Sequence, residues 1–252
     1  VFLHPADKKR YDVTVVMVHH MWGNHKTTWR HYRYLNEKGF DCVSFDLVMG
    51  SNKIQWEYHP VLRYLYKGVF YVWTRQIRSV LDTIPGKKII FSFSGPSLSS
   101  FWASEGRNDI TKVICDGGPF QDVYKNSKQM FYHEVGIKNS FLNSLAAFLG
   151  TIMWGFRPLD KLYKVLRNWS VNIPILSIRG VRDPIVNLES IDRVFKPHKF
   201  LNLKILELQY GKHLDGFRDF PEQYCKALMP FLIEKTEVSK EIPIVPPPRP
   251  RR

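Results

Sequence analysis

The sequence predicts an α/β protein in which helices cover both faces of a mostly parallel sheet. Short β-branched runs recur along the chain, each bounded by turn residues. Between them lie stretches with apolar residues at three- and four-residue spacing. Hydrophobic residues make up 44% and aromatic residues 14% of the 252, enough for one large core and too many for a disordered chain.

Taken in order, Val13 to Val18 (VTVVMV) reads as a buried parallel strand, broken by His19 to Asn24 (HHMWGN). Helical spacing runs from Thr27 to Lys38 and stops at Gly39. Phe40 to Asp46 is a second strand, and Met49 to Asn52 a turn. Pro60 to Ile84 holds one or two helices and ends at Pro85-Gly86. The strand Lys88 to Phe93 leads into Ser94-Gly95-Pro96, with a helix from Pro96 to Glu105. Lys112 to Cys115, Ile175 to Ile178 and Lys204 to Leu208 are further strands, and Leu188 to Phe195 and Pro221 to Lys235 further helices. The uncharged run Ser140 to Phe156 (SFLNSLAAFLGTIMWGF) is marginal in length for a membrane span and reads as a buried or interfacial helix. From Glu237 the chain is basic and proline-rich, so an extended tail is expected.

Charge and cysteines narrow the class. Lys and Arg number 37 against 23 Asp and Glu, a net charge of +14. Such a field attracts anions, but the basic residues are scattered and no nucleic-acid motif accompanies them. No nucleic-acid partner is expected, which leaves weak association with a membrane surface open. Cys42, Cys115 and Cys225 are odd in number and widely spaced, so neither a disulfide framework nor a metal cluster is indicated. With no secretory signal in view, the expectation is a reducing, cytoplasmic setting. No phosphate loop, dinucleotide fingerprint or metal site is present in the sequence, and no cofactor is expected.

In α/β folds the loops at the C-terminal ends of the strands carry the chemistry. Three such loops hold Ser94, Asp183 and His213, in that order. A serine hydroxyl becomes a nucleophile when a histidine takes its proton, and a carboxylate fixes that histidine's tautomer and stabilises its cation. Alternatives stand beside each. Gly95-Pro96-Ser97-Leu98-Ser99 offers Ser97 as a second candidate serine, and Asp116 also ends a strand. His19, His20 and His25 follow the first core strand, where they would shape a loop but are misplaced as a base.

From Val13 to Lys235 the chain resembles the α/β-hydrolase family, whose triad runs Ser…Asp…His. Ser92-Phe93-Ser94-Gly95-Pro96 stands where that family has its G-x-S-x-G nucleophile elbow. Gly180-Val181-Arg182-Asp183 looks like its acid loop, Tyr210-Gly211-Lys212-His213 its histidine loop, and His19 to Asn24 its oxyanion loop. The resemblance implies two oxyanion donors, the N–H of Gly95 and that of Met21 or Trp22. Pro96 and His20 stand where glycine is commoner, which keeps an inactive binding protein of the same fold as an alternative.

The resemblance also implies a helical cap between the strands ending at Cys115 and beginning at Ile175, a stretch far longer than a usual crossover. The expected organisation is a hydrolase core over 1–118 and 172–236, a cap over 119–171 and a tail over 237–252. The cap segment is rich in aromatic residues: Phe120, Tyr124, Phe131, Tyr132, Phe141, Phe148, Trp154, Phe156 and Tyr163. These would either roof an apolar pocket or glue the cap down. The function expected from the resemblance is a serine hydrolase, a carboxylesterase or lipase acting on an apolar ester. An aminopeptidase or a C–C bond hydrolase would use a similar site. Epoxide and haloalkane hydrolases are disfavoured, because they need a carboxylate where Ser94 stands.

Overall fold

The computed structural model describes residues 1–48, 60–155 and 158–236. The turn expected at Met49 to Asn52 and the tail expected over 237–252 lie outside the described residues. The strands are β1 (Phe2–His4), β2 (Val13–Val18), β3 (Asp41–Ser44), β4 (Lys87–Phe93), β5 (Ile110–Asp116), β6 (Ile175–Gly180) and β7 (Leu203–Leu208). The helices are α1 (Trp29–Lys38), α2 (Pro60–Thr83), α3 (Pro96–Ser104), α4 (Val123–His133), α5 (Ser140–Trp154), α6 (Pro158–Arg167), α7 (Leu188–Phe195), α8 (Gly216–Asp219) and α9 (Pro221–Ile233).

The strands form one sheet in the order β1-β3-β2-β4-β5-β6-β7. Every pairing is parallel except that of β1 with β3, where Leu3 lies opposite Val43. The sequence reading missed β1, because three mostly exposed residues carry no burial pattern. Phe40 to Asp46 contracts to Asp41–Ser44, where the ladder to β2 ends. The expected helix from Thr27 begins at Trp29, after a 3₁₀ turn over His25–Thr28. α7 matches its expected bounds.

Two hydrophobic layers sandwich the sheet, and period-two alternation sorts the strand residues between them. Val13, Val15, Met17, Ile89, Phe91, Phe93 and Ile114 meet Leu35 of α1 and Tyr224, Leu228, Phe231 and Leu232 of α9. Val16, Val18, Ile90, Val113 and Cys115 meet α2, α3, α6 and α7 through Trp73, Phe101, Leu166 and Val194. Each fully buried Leu or Phe contributes about 1.5–3 kcal/mol by leaving water, so both layers are strong.

The strand order reverses where β2 and β4 lie side by side. Chains leaving these neighbours go to opposite faces, since α1 joins one layer and α3 the other. A crevice therefore opens at their C-terminal ends. It receives the loop after β2 and the turn at Ser94.

Between β5 and β6 run α4, α5 and α6. α4 and α5 pack on each other, and α6 sends Leu162, Val165 and Leu166 into the core. α5 also crosses α2 at Gly68, which interrupts α2 with φ 66° and ψ 175°, a conformation open in practice only to glycine. A Cβ there would lie 1.9 Å from the Trp154 carbonyl oxygen. Gly68→Ala is expected to lower stability by about 3 kcal/mol or more, through backbone strain and collision with α5. Denaturant unfolding checks this, and a loss below about 1 kcal/mol would contradict the close crossing.

Candidate active site

Strand β4 is buried from Lys88 onward and ends at Phe93, and the next residue, Ser94, has a left-handed φ of 56°. Few non-glycine residues adopt this conformation, and it costs about 1–2 kcal/mol. Three contacts hold the turn. The Ser94 N–H donates to the Asp116 carbonyl at 2.7 Å, and the Ser94 carbonyl accepts from Ser97 N–H at 3.0 Å. On the far side, a Cβ on Gly118 would lie 2.4 Å from the Ser94 oxygen, so the neighbouring loop comes this close only because residue 118 is glycine. Pro96 is the first residue of α3, where its missing N–H costs nothing.

His213 reaches the same point from the loop after β7. Its Nε2 lies 3.0 Å from Ser94 Oγ and its Nδ1 2.6 Å from Asp183 Oδ2. A carboxylate only accepts, so Nδ1 carries the proton and Nε2 presents a lone pair to the serine hydroxyl. Asp183 is itself fixed: its Oδ1 accepts the Ile185 and Val186 N–H groups at 2.8 and 2.9 Å. The two loops touch through glycines. A Cβ on Gly180 would sit 2.5 Å from the Lys212 oxygen and 2.6 Å from the Gly211 oxygen. The Arg182 N–H donates to the Gly211 carbonyl at 2.9 Å across the same junction. The structure thus brings Ser94, His213 and Asp183 into one hydrogen-bonded line.

The rival residues lie elsewhere. Ser97 is fully buried inside α3. The Asp116 carboxylate accepts the Tyr224 hydroxyl at 2.7 Å, and that hydroxyl lies 3.3 Å from His31 Nε2. Burial pushes Asp116 up to about 7, with the Tyr224 hydrogen bond and His213 opposing and Asp183 and Asp215 adding to the rise. Burial likewise pushes His31 down to about 3.

The loop after β2 is clamped by its histidines. The ring of His19, with Nδ1 at 2.6 Å from the His20 carbonyl, accepts the Leu47 N–H on Nε2 at 2.8 Å. His25 pairs with Asp46 at 2.9 Å through Nδ1 and at 2.6 Å through its own N–H. His20 turns its Nδ1 to the Met21 carbonyl at 2.7 Å, and burial lowers its pKa. Met21, Trp22 and Gly95 all border the cavity above Ser94. Among the described residues their N–H groups donate to no partner, which leaves them available to a ligand.

That cavity measures about 280 Å³. Its walls are mostly apolar, with Met21, Phe120, Met130, Trp154, Ile185 and Leu214 around Ser94 and His213. Of the aromatic residues weighed as a roof, Phe120 and Trp154 line it, and Phe131 packs against the core beside it. Tyr124, Tyr132, Phe141 and Phe148 are exposed, Tyr163 stands beside His198, and Phe156 lies outside the described residues. The sequence reading missed Asn126, Ser127, Met130 and Glu134, which line the cavity from α4. Their three- and four-residue spacing was the available signal. Three of the four non-glycine residues with positive φ among those described, Trp22, Ser94 and Leu214, border this cavity, so strain concentrates here.

Sheet order, crevice and the turn at Ser94 together define a class: the chain has the α/β-hydrolase fold. No protein-family model matches the sequence, and no curated protein matches it. Solved structures do. An esterase of Pyrococcus furiosus superposes with a TM-score of 0.62 at 18% identity, over 88% of this chain and 83% of that one. A hydrolase of Oleispira antarctica gives 0.63 at 13% identity, over 93% and 94%. A monoacylglycerol lipase of Paleococcus ferrophilus gives 0.58 at 15% identity, over 93% and 99%.

The buried Asp116 carries a pH dependence. In the unfolded chain it titrates near 3.9, and in the fold at about 7. Between these values the folded state keeps a proton that the unfolded state releases, so stability falls as pH rises from about 4 to 7. The full effect is on the order of 4 kcal/mol. In Asp116→Asn the amide oxygen still accepts the Tyr224 hydroxyl, and the melting temperature should depend less on pH across this window. An unchanged slope would show that Asp116 ionises freely in the fold.

Proposed function

We propose that the protein is a serine hydrolase that cleaves an ester of an apolar acyl group through an acyl-enzyme. The supporting observation is the hydrogen-bonded line from Asp183 through His213 to Ser94, opening on an apolar cavity. In this reading His213 Nε2 takes the Ser94 proton as Oγ attacks the acyl carbon. The developing oxyanion accepts the N–H of Gly95 and that of Met21 or Trp22. The imidazolium, stabilised by Asp183, then protonates the departing alcohol. Water replaces the alcohol, His213 removes its proton, and the acid leaves with Ser94 restored.

The Gly95 N–H stands at the N-terminal end of α3, where the helix dipole favours negative charge. We assign α4 and α5 the role of a cap, since Met130 and Trp154 line the cavity that holds Ser94. Both walls suit an alkyl chain. The esterases and the monoacylglycerol lipase among the structural neighbours lend support to ester cleavage.

A fluorophosphonate probe should label the protein, and Ser94→Ala should abolish the label. On p-nitrophenyl butyrate, Ser94→Ala and His213→Ala are each expected to lower kcat/KM by about a thousandfold or more, without adding in the double variant. Asp183→Asn should cost far more activity than Asp116→Asn. An intact, folded protein that takes no label would instead favour a binding module that uses this fold without chemistry.

A further inference from the structure

Over its first three turns, helix α5 turns Asn143, Ala147 and Gly150 inward and its large apolar residues outward, and only its last residue, Trp154, is both large and buried. Gly150 allows Phe131 of α4 to approach closely. Phe141, Leu142, Leu145, Phe148 and Leu149 form one stripe on the opposite side, spaced i, i+1, i+4, i+7 and i+8. Their exposure runs from 46% for Leu145 to 75% for Phe141. No charged residue occurs anywhere in the helix. Soluble proteins rarely leave so continuous an apolar face in water, and such faces mark contact with a partner or a membrane.

Charge identifies the occupant. The chain carries +14, and segment 119–171 holds seven basic residues against three acidic. Lys138 stands just before the helix, and Lys125 and Lys128 lie on α4, which packs against it. A second copy pressed on the stripe would bring two strongly cationic bodies together, whereas an anionic lipid surface would neutralise them. The C-terminal end of the same helix delivers Trp154 to the cavity, while the stripe lies on its outer face. No helix among the described residues is long and apolar enough to cross a membrane.

We propose that the outward face of α5 docks on an anionic lipid bilayer, with Phe141, Leu145 and Phe148 seated at the boundary of headgroups and acyl chains. In this arrangement α5 lies along the plane of the membrane surface. This docking is independent of the hydrolase reading, because none of the stripe residues borders the cavity.

The test is co-sedimentation of the full chain with vesicles of phosphatidylcholine alone and of phosphatidylcholine mixed with phosphatidylglycerol. The wild type should pellet with the anionic vesicles, less so as salt rises, and only weakly with neutral ones. The triple variant Phe141→Ser, Leu145→Ser, Phe148→Ser should bind about tenfold or more weaker, as expected for loss of the inserted apolar area. Its melting temperature should match the wild type, since all three side chains are exposed. Ser94→Ala should bind vesicles as the wild type does, so failure of the catalytic reading and failure of docking are told apart. Wild type that stays in the supernatant, or a triple variant that pellets equally, would overturn the proposal. So would a dimer in sedimentation velocity that the triple variant dissolves, which would assign the stripe to a second copy of the chain.

Discussion

The left-handed backbone at Ser94 is the constraint from which the rest of the site follows. A serine relaxes out of this conformation unless its surroundings forbid it. Here β4 is locked between β2 and β5, and α3 begins at once with Pro96, so the turn has no slack. The Asp116 carbonyl holds the Ser94 N–H, and the glycine at 118 lets the next loop press against the Ser94 carbonyl. The strain is balanced by the buried layers on both faces of the sheet. Its consequence is geometric: the hydroxyl stands clear of both strand and helix and meets an imidazole.

A second contact of the same kind sets the position of that imidazole. Gly180 ends β6 and Gly211 lies in the loop after β7, and their backbones touch because neither carries a side chain. The acid loop and the histidine loop therefore form one unit. Asp183 is gripped by two backbone N–H groups and by His213, which leaves its carboxylate little freedom to turn. Below them Asp116 faces Tyr224 and His31, a buried polar cluster in the other layer. Of the two aspartates at the ends of adjacent strands, Asp116 bonds the Tyr224 hydroxyl and only Asp183 bonds the histidine.

Apolar surface is partitioned just as sharply. α5 contributes Trp154 to the cavity and Gly150 to the packing against α4, while Phe141, Leu142, Leu145, Phe148 and Leu149 face outward. A helix of this composition could be buried on all sides, and the run from Ser140 gave no means of choosing between burial and an interface. What decided it was the close α4–α5 packing, which at Gly150 leaves no room for a larger residue beside Phe131.

The six parallel strands, the order Ser, Asp, His and the glycines at 180 and 211 were legible from residue type. Buried parallel strands must be apolar, and tight turns at strand ends select small residues, so local chemistry writes them into the sequence. β1 was not legible, because an exposed edge strand needs no apolar pattern. Nor was Ile185 as a cavity residue, and for the acid the Gly180-Val181-Arg182-Asp183 pattern favoured Asp183 while leaving Asp116 open. These depend on which elements meet across the sheet. Pairings between residues far apart in the chain are set by packing, which no short stretch of sequence encodes. The amino-acid sequence alone determined the layers and the candidate chemistry; only the folded chain decided which carboxylate meets the imidazole and which face of α5 is left uncovered.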